Sequence, residues 1–199
     1  DALEAVPAAF TIEARNPSCN IRIGKTNYVM APGYGPPFII EPGGAKRDAT
    51  RADVETFCKL VQTSKYLDFN SAIVVQPKDV ASETAHLDIL LAAMTLTDKP
   101  LMGSSVSQSA AHDSMRLAEL VWGTLDRPVM LALIDSLSPL QYARESAEAL
   151  MVFAEAGQPA IIHSACTLGL TGPITIAGSL VVSNATTLAG ICLAQLINP

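Results

Sequence analysis

Seven polar residues follow short apolar runs in this chain: Gln76 after Ile73-Val-Val75, Ser104 and Ser105 after Leu101-Met102, Asp135 and Ser136 after Val129-Met-Leu-Ala-Leu-Ile134, and His163 and Ser164 after Ala160-Ile-Ile162. Polar groups at the carboxyl ends of parallel strands are where barrel enzymes keep their sites. Asp135 and His163 are the two that titrate, which makes them candidates for acid, base or ligand roles. The competing readings are a turn acid or helix-start partner for Asp135 and a satisfied core histidine for His163. Tyr34 lies in the stiff Pro32-Gly-Tyr-Gly-Pro-Pro37 turn, which could hold a ring over the mouth of a fold, and Phe38 follows directly. Against this, Tyr34 could be a turn filler and Phe38 a strand core residue. His86 and His112 fall on stretches read as outer helices and are expected to face solvent. Cys19, Cys58, Cys166 and Cys192 are far apart, without Cys-x-x-Cys or an adjacent His pair. They signal neither a zinc site nor a disulfide framework, so reduced thiols in a cytoplasmic protein and no metal are expected.

The elements that must position these residues are legible as alternating apolar runs and helical stretches. Strands are expected near residues 72–77, 100–104, 128–135 and 159–164, starting at intervals of roughly 28 to 31 residues. Between them, Leu87, Leu90, Leu91 and Met94 share one helix face, and Ala111, Met115, Ala118 and Trp122 share another. The third helix is expected to start with Ser138 as N-cap, Pro139 at the first helical position and Gln141 closing a capping box. Leu140, Ala143, Ala147, Leu150, Met151 and Ala154 would line one side of it, and Gly157 and Pro159 would end it. Four consecutive βα units argue for a parallel sheet, either doubly wound or closed as a (β/α)8 barrel. Gly33-Tyr-Gly35 lacks the third glycine of a dinucleotide fingerprint and lies in a proline-rich turn. A barrel usually needs about 250 residues, so residues 66–199 read as its first half, with a fifth strand expected beyond Pro199. Residues 1–65 read as a hairpin layer with strands at Phe10–Ala14, Asn20–Ile23, Tyr28–Met30 and Phe38–Glu41. A connecting helix begins at Thr50 with Asp53 three residues on, and carries an apolar stripe of Val54, Phe57, Cys58 and Val61.

Charge narrows the function classes. The 199 residues carry a formal charge of −6 with a pI near 5.0, and the 13 Lys and Arg residues are scattered. That gives no footprint for nucleic acid. No secretory leader is visible and the chain opens without Met, so it reads as a portion of a longer protein. After Glu155 no Asp, Glu, Lys or Arg occurs. The stretch from Ile174 to Ile197 is long enough to cross a bilayer, but its Ser, Thr, Asn and Gln residues and its lack of basic flanks and Trp or Tyr anchors favour a buried helix of a large fold, with no membrane role. Left uncovered, that helix and the fourth strand's edge would drive aggregation or assembly, and a homo-oligomer is expected.

Several landmarks occur in family order. They are Ala14-Arg-Asn-Pro17, Gly33-Tyr-Gly-Pro-Pro37, Lys99-Pro100, Ser138-Pro-Leu140, and Thr171-Gly-Pro-Ile-Thr-Ile-Ala-Gly178 through Gln195-Leu-Ile-Asn-Pro199. Together they resemble the trimethylamine methyltransferase family, including its non-pyrrolysine relatives that demethylate glycine betaine and other quaternary amines. The resemblance implies a (β/α)8 barrel with an N-terminal elaboration. It also implies transfer of an N-methyl group to the Co(I) of a corrinoid carried by a separate partner protein, with no cofactor bound directly to this chain. The pyrrolysine position of the trimethylamine enzymes would fall in the later half of the barrel. Where relatives often have Asn-Ala-Glu, this sequence has Asn184-Ala185-Thr186, which puts any role of that Glu in doubt. For such a reaction Tyr34 and Phe38 are the candidate cage residues, through cation–π attraction. Gln76, Ser104, Ser105, Asp135, Ser136, His163 and Ser164 are the candidate polar contacts, with His163 and Asp135 the catalytic candidates. Two other readings stand beside this one. The first is a barrel aldolase or lyase using a Schiff-base lysine, although Lys99 stands at the amino end of its strand and Lys78 beyond the end of the first. The second is a noncatalytic half-barrel that assembles through its uncharged helix.

Overall fold

The strands that carry the polar residues lie parallel and in chain order. In a computed structural model that describes residues 7–24, 26–71 and 73–199, the elements are β1 (Phe10–Ile12), β2 (Ile21–Ile23), β3 (Phe38–Ile40), β4 (Lys46–Asp48), α1 (Arg51–Thr63), α2 (Ala85–Leu96), β5 (Leu101–Met102), α3 (Gln108–Trp122), β6 (Met130–Asp135), α4 (Arg144–Glu155), β7 (Ala160–His163) and α5 (Ile176–Ile197). Sheet order is β5-β6-β7, with Leu101 opposite Met130 and a β6–β7 register running from Ala132–Ala160 to Asp135–His163. This is an α/β fold with a parallel sheet. Two antiparallel hairpins, β1–β2 and β3–β4, precede it; β4, a charged and exposed strand, was not among those expected.

β6 is the centre of the sheet. Val129, Met130, Leu131, Ala132 and Ile134 are almost wholly buried, as expected for a strand covered on both faces. Its amino end is held by Gln158, whose Oε1 accepts from Val129 N–H at 2.9 Å and whose Nε2 donates to the Arg127 carbonyl at 3.0 Å. One buried amide thereby satisfies the turn leading in. Beside β6, Gly103 leaves no room for a side chain. A Cβ there would meet the Met130 sulfur and would lie 2.7 Å from the Phe153 ring and 3.1 Å from the Ser114 Cβ.

The first expected strand is not a regular one. Residue 72, where it was to begin, lies outside the described residues, as do residues 1–6 of the N-terminal part. What remains is a single parallel bridge, Asn70 to Leu101. The physical reason is that backbone groups of Asp68, Phe69, Ile73 and Gln76 pair with the 30–36 segment instead. Asp68 N–H donates to the Met30 carbonyl at 2.8 Å, Gly35 N–H to Ile73 at 2.7 Å and Gln76 N–H to Pro36 at 3.0 Å. The same partnership explains why Tyr28–Met30 is not a hairpin strand.

The helices form in the expected order, but the stripes of α2 and α4 and the start of α4 are corrected: α4 buries Ala149, Leu150, Val152, Phe153 and Ala154, whereas Met151 is exposed. α1 begins as read, with the Asp53 carboxylate accepting from both the N–H and the Oγ–H of Thr50 at 2.8 Å. Val54, Cys58 and Val61 are buried beneath it. In α2 the buried face is Ile89, Leu90, Ala92, Ala93 and Met94, while Leu87 and Leu91 are exposed. α4 starts at Arg144, six residues after Ser138. The backbones of Leu137 and Gln141 bond to each other reciprocally at 2.8 and 3.0 Å and Leu140 adopts a left-handed φ of 56°, so residues 137–141 form a loop. A sequence that spells a capping box was outcompeted by turn closure. Gly157, at φ 66°, ends the helix as expected.

α5 packs along α4 and β7 through a glycine. A Cβ on Gly190 would lie 2.5 Å from the Tyr142 hydroxyl and 2.9 Å from Ile162, and that hydroxyl donates to the Thr186 carbonyl at 2.8 Å. Thr186 is buried there, its own hydroxyl donating to Val182 at 2.8 Å. Ser179, Thr186 and Gly190 of α5 are fully buried and Leu193 and Ala194 pack partly buried against the core, while Ile176, Leu180, Val181, Leu188 and Leu196 are exposed. By length and composition it could cross a membrane.

Candidate functional site

Parallel register brings Asp135 and His163 together. They are opposite each other at the carboxyl ends of β6 and β7, and because side chains alternate across a strand, paired residues project to the same face. His163 Nδ1–H donates to Asp135 Oδ1 at 2.6 Å, and both side chains are about half exposed. The ladder continues beyond the pair, Ser136 N–H donating to the His163 carbonyl at 2.9 Å. His163 is therefore not a buried core histidine, and Asp135 does not cap a helix.

The turn at residues 32–37 reaches the same place. Its backbone bonds to Ile73 and Gln76 bring Tyr34 to the strand ends, partly buried against the cluster that contains Phe69 and Ile73. Burial, first of all, pushes the Tyr34 phenol above its ordinary value. A hydrogen bond with Ser105 opposes this, and the Asp135 charge adds to it. Tyr34 thus stays a neutral phenol at physiological pH. Ser105 Oγ–H donates to the Leu133 carbonyl at 2.6 Å, which leaves its lone pairs to face the phenol. Gln76 lies beside the turn, its Nε2 3.9 Å from the position a Cβ on Gly35 would take. Ser104 is buried and its N–H donates to Ser114 Oγ at 2.9 Å. The hydroxyls of Ser104, Ser136 and Ser164 have no hydrogen-bond partner among the described residues, so hydroxyl capacity is unspent at the ends of three adjacent strands.

Phe38 does not join this group. It lies on β3 in the exposed hairpin, with the Lys46 ammonium 3.5 Å from its ring centroid, and lines a separate hollow with Ile39 and Phe57. Lys99 is a structural cation: its three N–H groups donate to the carbonyls of Val61, Ser64 and Leu67 at 2.7, 2.6 and 2.6 Å, closing the carboxyl end of α1. A fully engaged ammonium is poorly suited to forming a Schiff base. His86 is not solvent-facing; its side chain is 12% exposed and its Nε2 lies 3.0 Å from Asp113, tying α2 to α3, whereas His112 is exposed. Cys58 is buried and accepts from Asn70 Nδ2 at 3.3 Å, and burial pushes its thiol up, away from thiolate reactivity. Among the described residues no three His, Cys, Asp or Glu side chains converge.

One tie was invisible in the sequence. Ser138 Oγ–H donates to the Ala165 carbonyl at 3.0 Å, joining the loops after β6 and β7 that bound the site. Its place in an apparent capping box disguised this role.

The arrangement is an aromatic face, a carboxylate and an imidazole in sequence along one edge of the sheet. An aromatic ring beside an anion attracts a soft organic cation, and the imidazole can hold an anion or move a proton.

Comparison with known proteins gives this site a context. Residues 1–199 match the family described as Trimethylamine methyltransferase (MTTB). The glycine betaine methyltransferase of Desulfitobacterium hafniense (strain Y51) is 43% identical over 201 residues, covering 99% of this chain and 42% of that protein. The proline betaine:corrinoid methyltransferase of Eubacterium limosum is 34% identical over 210 residues, covering all of this chain and 43% of that protein. The trimethylamine methyltransferase MttB of Desulfitobacterium hafniense (strain DSM 10664 / DCB-2) is 28% identical over 207 residues, 98% of this chain and 40% of that protein. The chain thus spans about two-fifths of the length of these curated relatives. With the whole chain matched, it belongs to the trimethylamine methyltransferase family.

Proposed function

We propose that the intact protein demethylates a methylated amine, passing an N-methyl group to the Co(I) of a corrinoid carried by a partner protein. In this reading residues 66–199 supply the first part of a (β/α)8 barrel, residues 1–65 form its N-terminal elaboration, and Tyr34 is the aromatic wall of the methyl-donor site. The observation that carries it is the partly buried Tyr34 beside Asp135 at the carboxyl ends of parallel strands, in a chain whose relatives are named for betaines and trimethylamine.

The chemistry asks little of a general acid when the donor is a quaternary ammonium. The Co(I) lone pair attacks the methyl carbon, a Co–CH3 bond forms, and the C–N electron pair returns to nitrogen as a neutral tertiary amine. What the chain must supply is desolvation and in-line positioning. Tyr34 replaces part of the cation's hydration with a ring face, and Asp135 supplies a nearby negative charge. This grip has to be moderate, because positive charge leaves nitrogen in the transition state and tighter ground-state binding would slow the step. Phe38, with its ring already occupied by Lys46, has no part in this reading.

Anaerobic mixing of the intact protein, chemically reduced cob(I)alamin and glycine betaine tests it. The expected result is methylcob(III)alamin by its absorbance spectrum, with one dimethylglycine formed per methyl transferred. No methylcobalamin from glycine betaine, proline betaine, carnitine or trimethylamine would contradict the reading.

A further inference from the structure

Side-chain alternation along β6 places the Asp135–His163 pair beside the aromatic ring. Leu131 belongs to the buried cluster against which Leu133 and Tyr34 pack, whereas Met130, Ala132 and Ile134 belong to the one that faces α3 and α4. Asp135 is two residues beyond Leu133 and so projects to the Tyr34 side, and His163, its register partner, does the same. Ser105 ties the ring to this point of the strand: it bonds the Tyr34 phenol, and its own Oγ–H donates to the Leu133 carbonyl at 2.6 Å. Methyl transfer gives the imidazole no proton to deliver, since the tertiary amine leaves as a neutral base. What the ring can still supply is charge. Asp135 is the carboxylate next to the cation's place, and its partner at 2.6 Å is the side-chain type whose charge changes near neutral pH.

We infer that the Asp135–His163 pair is a pH-sensitive control on the methylated-cation site: a neutral His163 leaves the Asp135 charge free to attract the cation beside Tyr34, and a doubly protonated His163 cancels that charge. The inference rests on the methylated-amine reading above and adds a regulation of that same site. Nδ1–H donates to Asp135 in both states, so the pair changes its charge while keeping its hydrogen bond. Protonation of the ring and binding of the cation then compete for one carboxylate, and each weakens the other by the same factor. Other groups around the pair do not reproduce this behaviour. The loops after β6 and β7, residues 136–143 and 164–175, hold no Asp, Glu, Lys or Arg, and neither does α5. Their titratable groups are the Tyr142 phenol, which donates to the Thr186 carbonyl, and the thiols of Cys166 and Cys192; phenols and thiols ordinarily titrate above an imidazole. Past Gln76 stand Lys78, which is exposed, and Asp79, which accepts from the Arg51 N–H at 2.8 Å. α4 and α3 face Ile134, on the other side of β6 from Asp135. On α4, Arg144 pairs with Glu148 at 2.6 Å beside Glu145, and on α3, Asp113 takes His86 of α2 at 3.0 Å while His112 is exposed.

Equilibrium binding of tetramethylammonium to the intact protein without corrinoid tests this, because the probe has no titratable group and any pH dependence belongs to the protein. Titration calorimetry is run at about pH 5.5 and about pH 8, on either side of the ordinary imidazole value. The wild type should bind about 3- to 10-fold more weakly at the lower pH, the effect of cancelling one partly exposed charge near the cation. His163→Gln keeps an N–H donor but cannot titrate, and its affinity should be equal at the two pH values and close to that of the wild type at the higher one. Asp135→Asn should bind at the higher pH about as weakly as the wild type does at the lower. Because both side chains are half exposed, the two variants should keep the wild-type unfolding midpoint, and a purely structural role for the pair would move that midpoint and leave the pH dependence in place. A wild type with one affinity at both pH values, or a His163→Gln protein that keeps the wild-type pH dependence, would overturn the inference while leaving the methylated-amine reading standing. Tetramethylammonium that binds at neither pH would sink that reading and the inference with it.

Discussion

At the scale of single residues the account depends on Tyr34. Its ring offers a cation face, and its hydroxyl serves mainly to hold that ring against Ser105. Tyr34→Ala in the intact protein should therefore weaken quaternary-amine binding by roughly 0.5 to 2 kcal/mol, the span of one cation–π contact. Tyr34→Phe should be mild, because the face survives. Equal dissociation constants for wild type and Tyr34→Ala would remove the residue from the site. How far such residues were legible follows from where their partners lie in the chain. Gln76, Ser104, Ser105, Asp135, Ser136, His163 and Ser164 could be named because a strand's end is marked locally by the last apolar residue. The pairing of Asp135 with His163 could not, because it depends on the β6–β7 register, and a slip of one residue would turn one side chain to the other face. Phe38 shows the opposite failure: an aromatic residue next to the right turn, drawn away by a hairpin partner, Lys46, eight positions on.

At the scale of elements, the sheet's spacing was readable and its first strand was not. Apolar runs announced β5 and β6, which are buried, and also β7, although it lies half-exposed at the edge of the sheet. Ile73-Val-Val75 is equally apolar and equally buried, but its backbone bonds go to the 30–36 segment, a non-local partner that no periodicity reports. The start of α4 failed for a related reason, since Leu137 and Gln141 satisfy each other before a helix can use their backbone groups. Where packing leaves no slack, the consequence is measurable. Gly103 stands directly before the site serines with Met130 and the fully buried Phe153 against it. Gly103→Ala should cost about 1 to 3 kcal/mol through overpacking. Denaturant unfolding of the intact protein would check this, and a loss under about 0.5 kcal/mol would show that the space is not closed.

At the scale of the molecule, the order of hairpins, α1 and βα units supports one site at one edge of the sheet. The hairpin layer's contribution is the turn that delivers Tyr34; α1 and Lys99 anchor that layer to the strand bearing Ser104 and Ser105. α5 is the element whose surroundings the described residues explain least, with Leu180, Val181 and Leu196 each more than half exposed. Its charge-free sequence announced the need for a cover without saying what supplies it. None of this alters where the methylated cation should sit. The most direct measurement is a crystal structure of the intact protein soaked with glycine betaine. The account predicts the trimethylammonium group within about 6 Å of the Tyr34 ring centroid, the distance at which a ring attracts a cation, on the face shared with Asp135. Glycine betaine bound elsewhere, with Tyr34 out of reach, would contradict it.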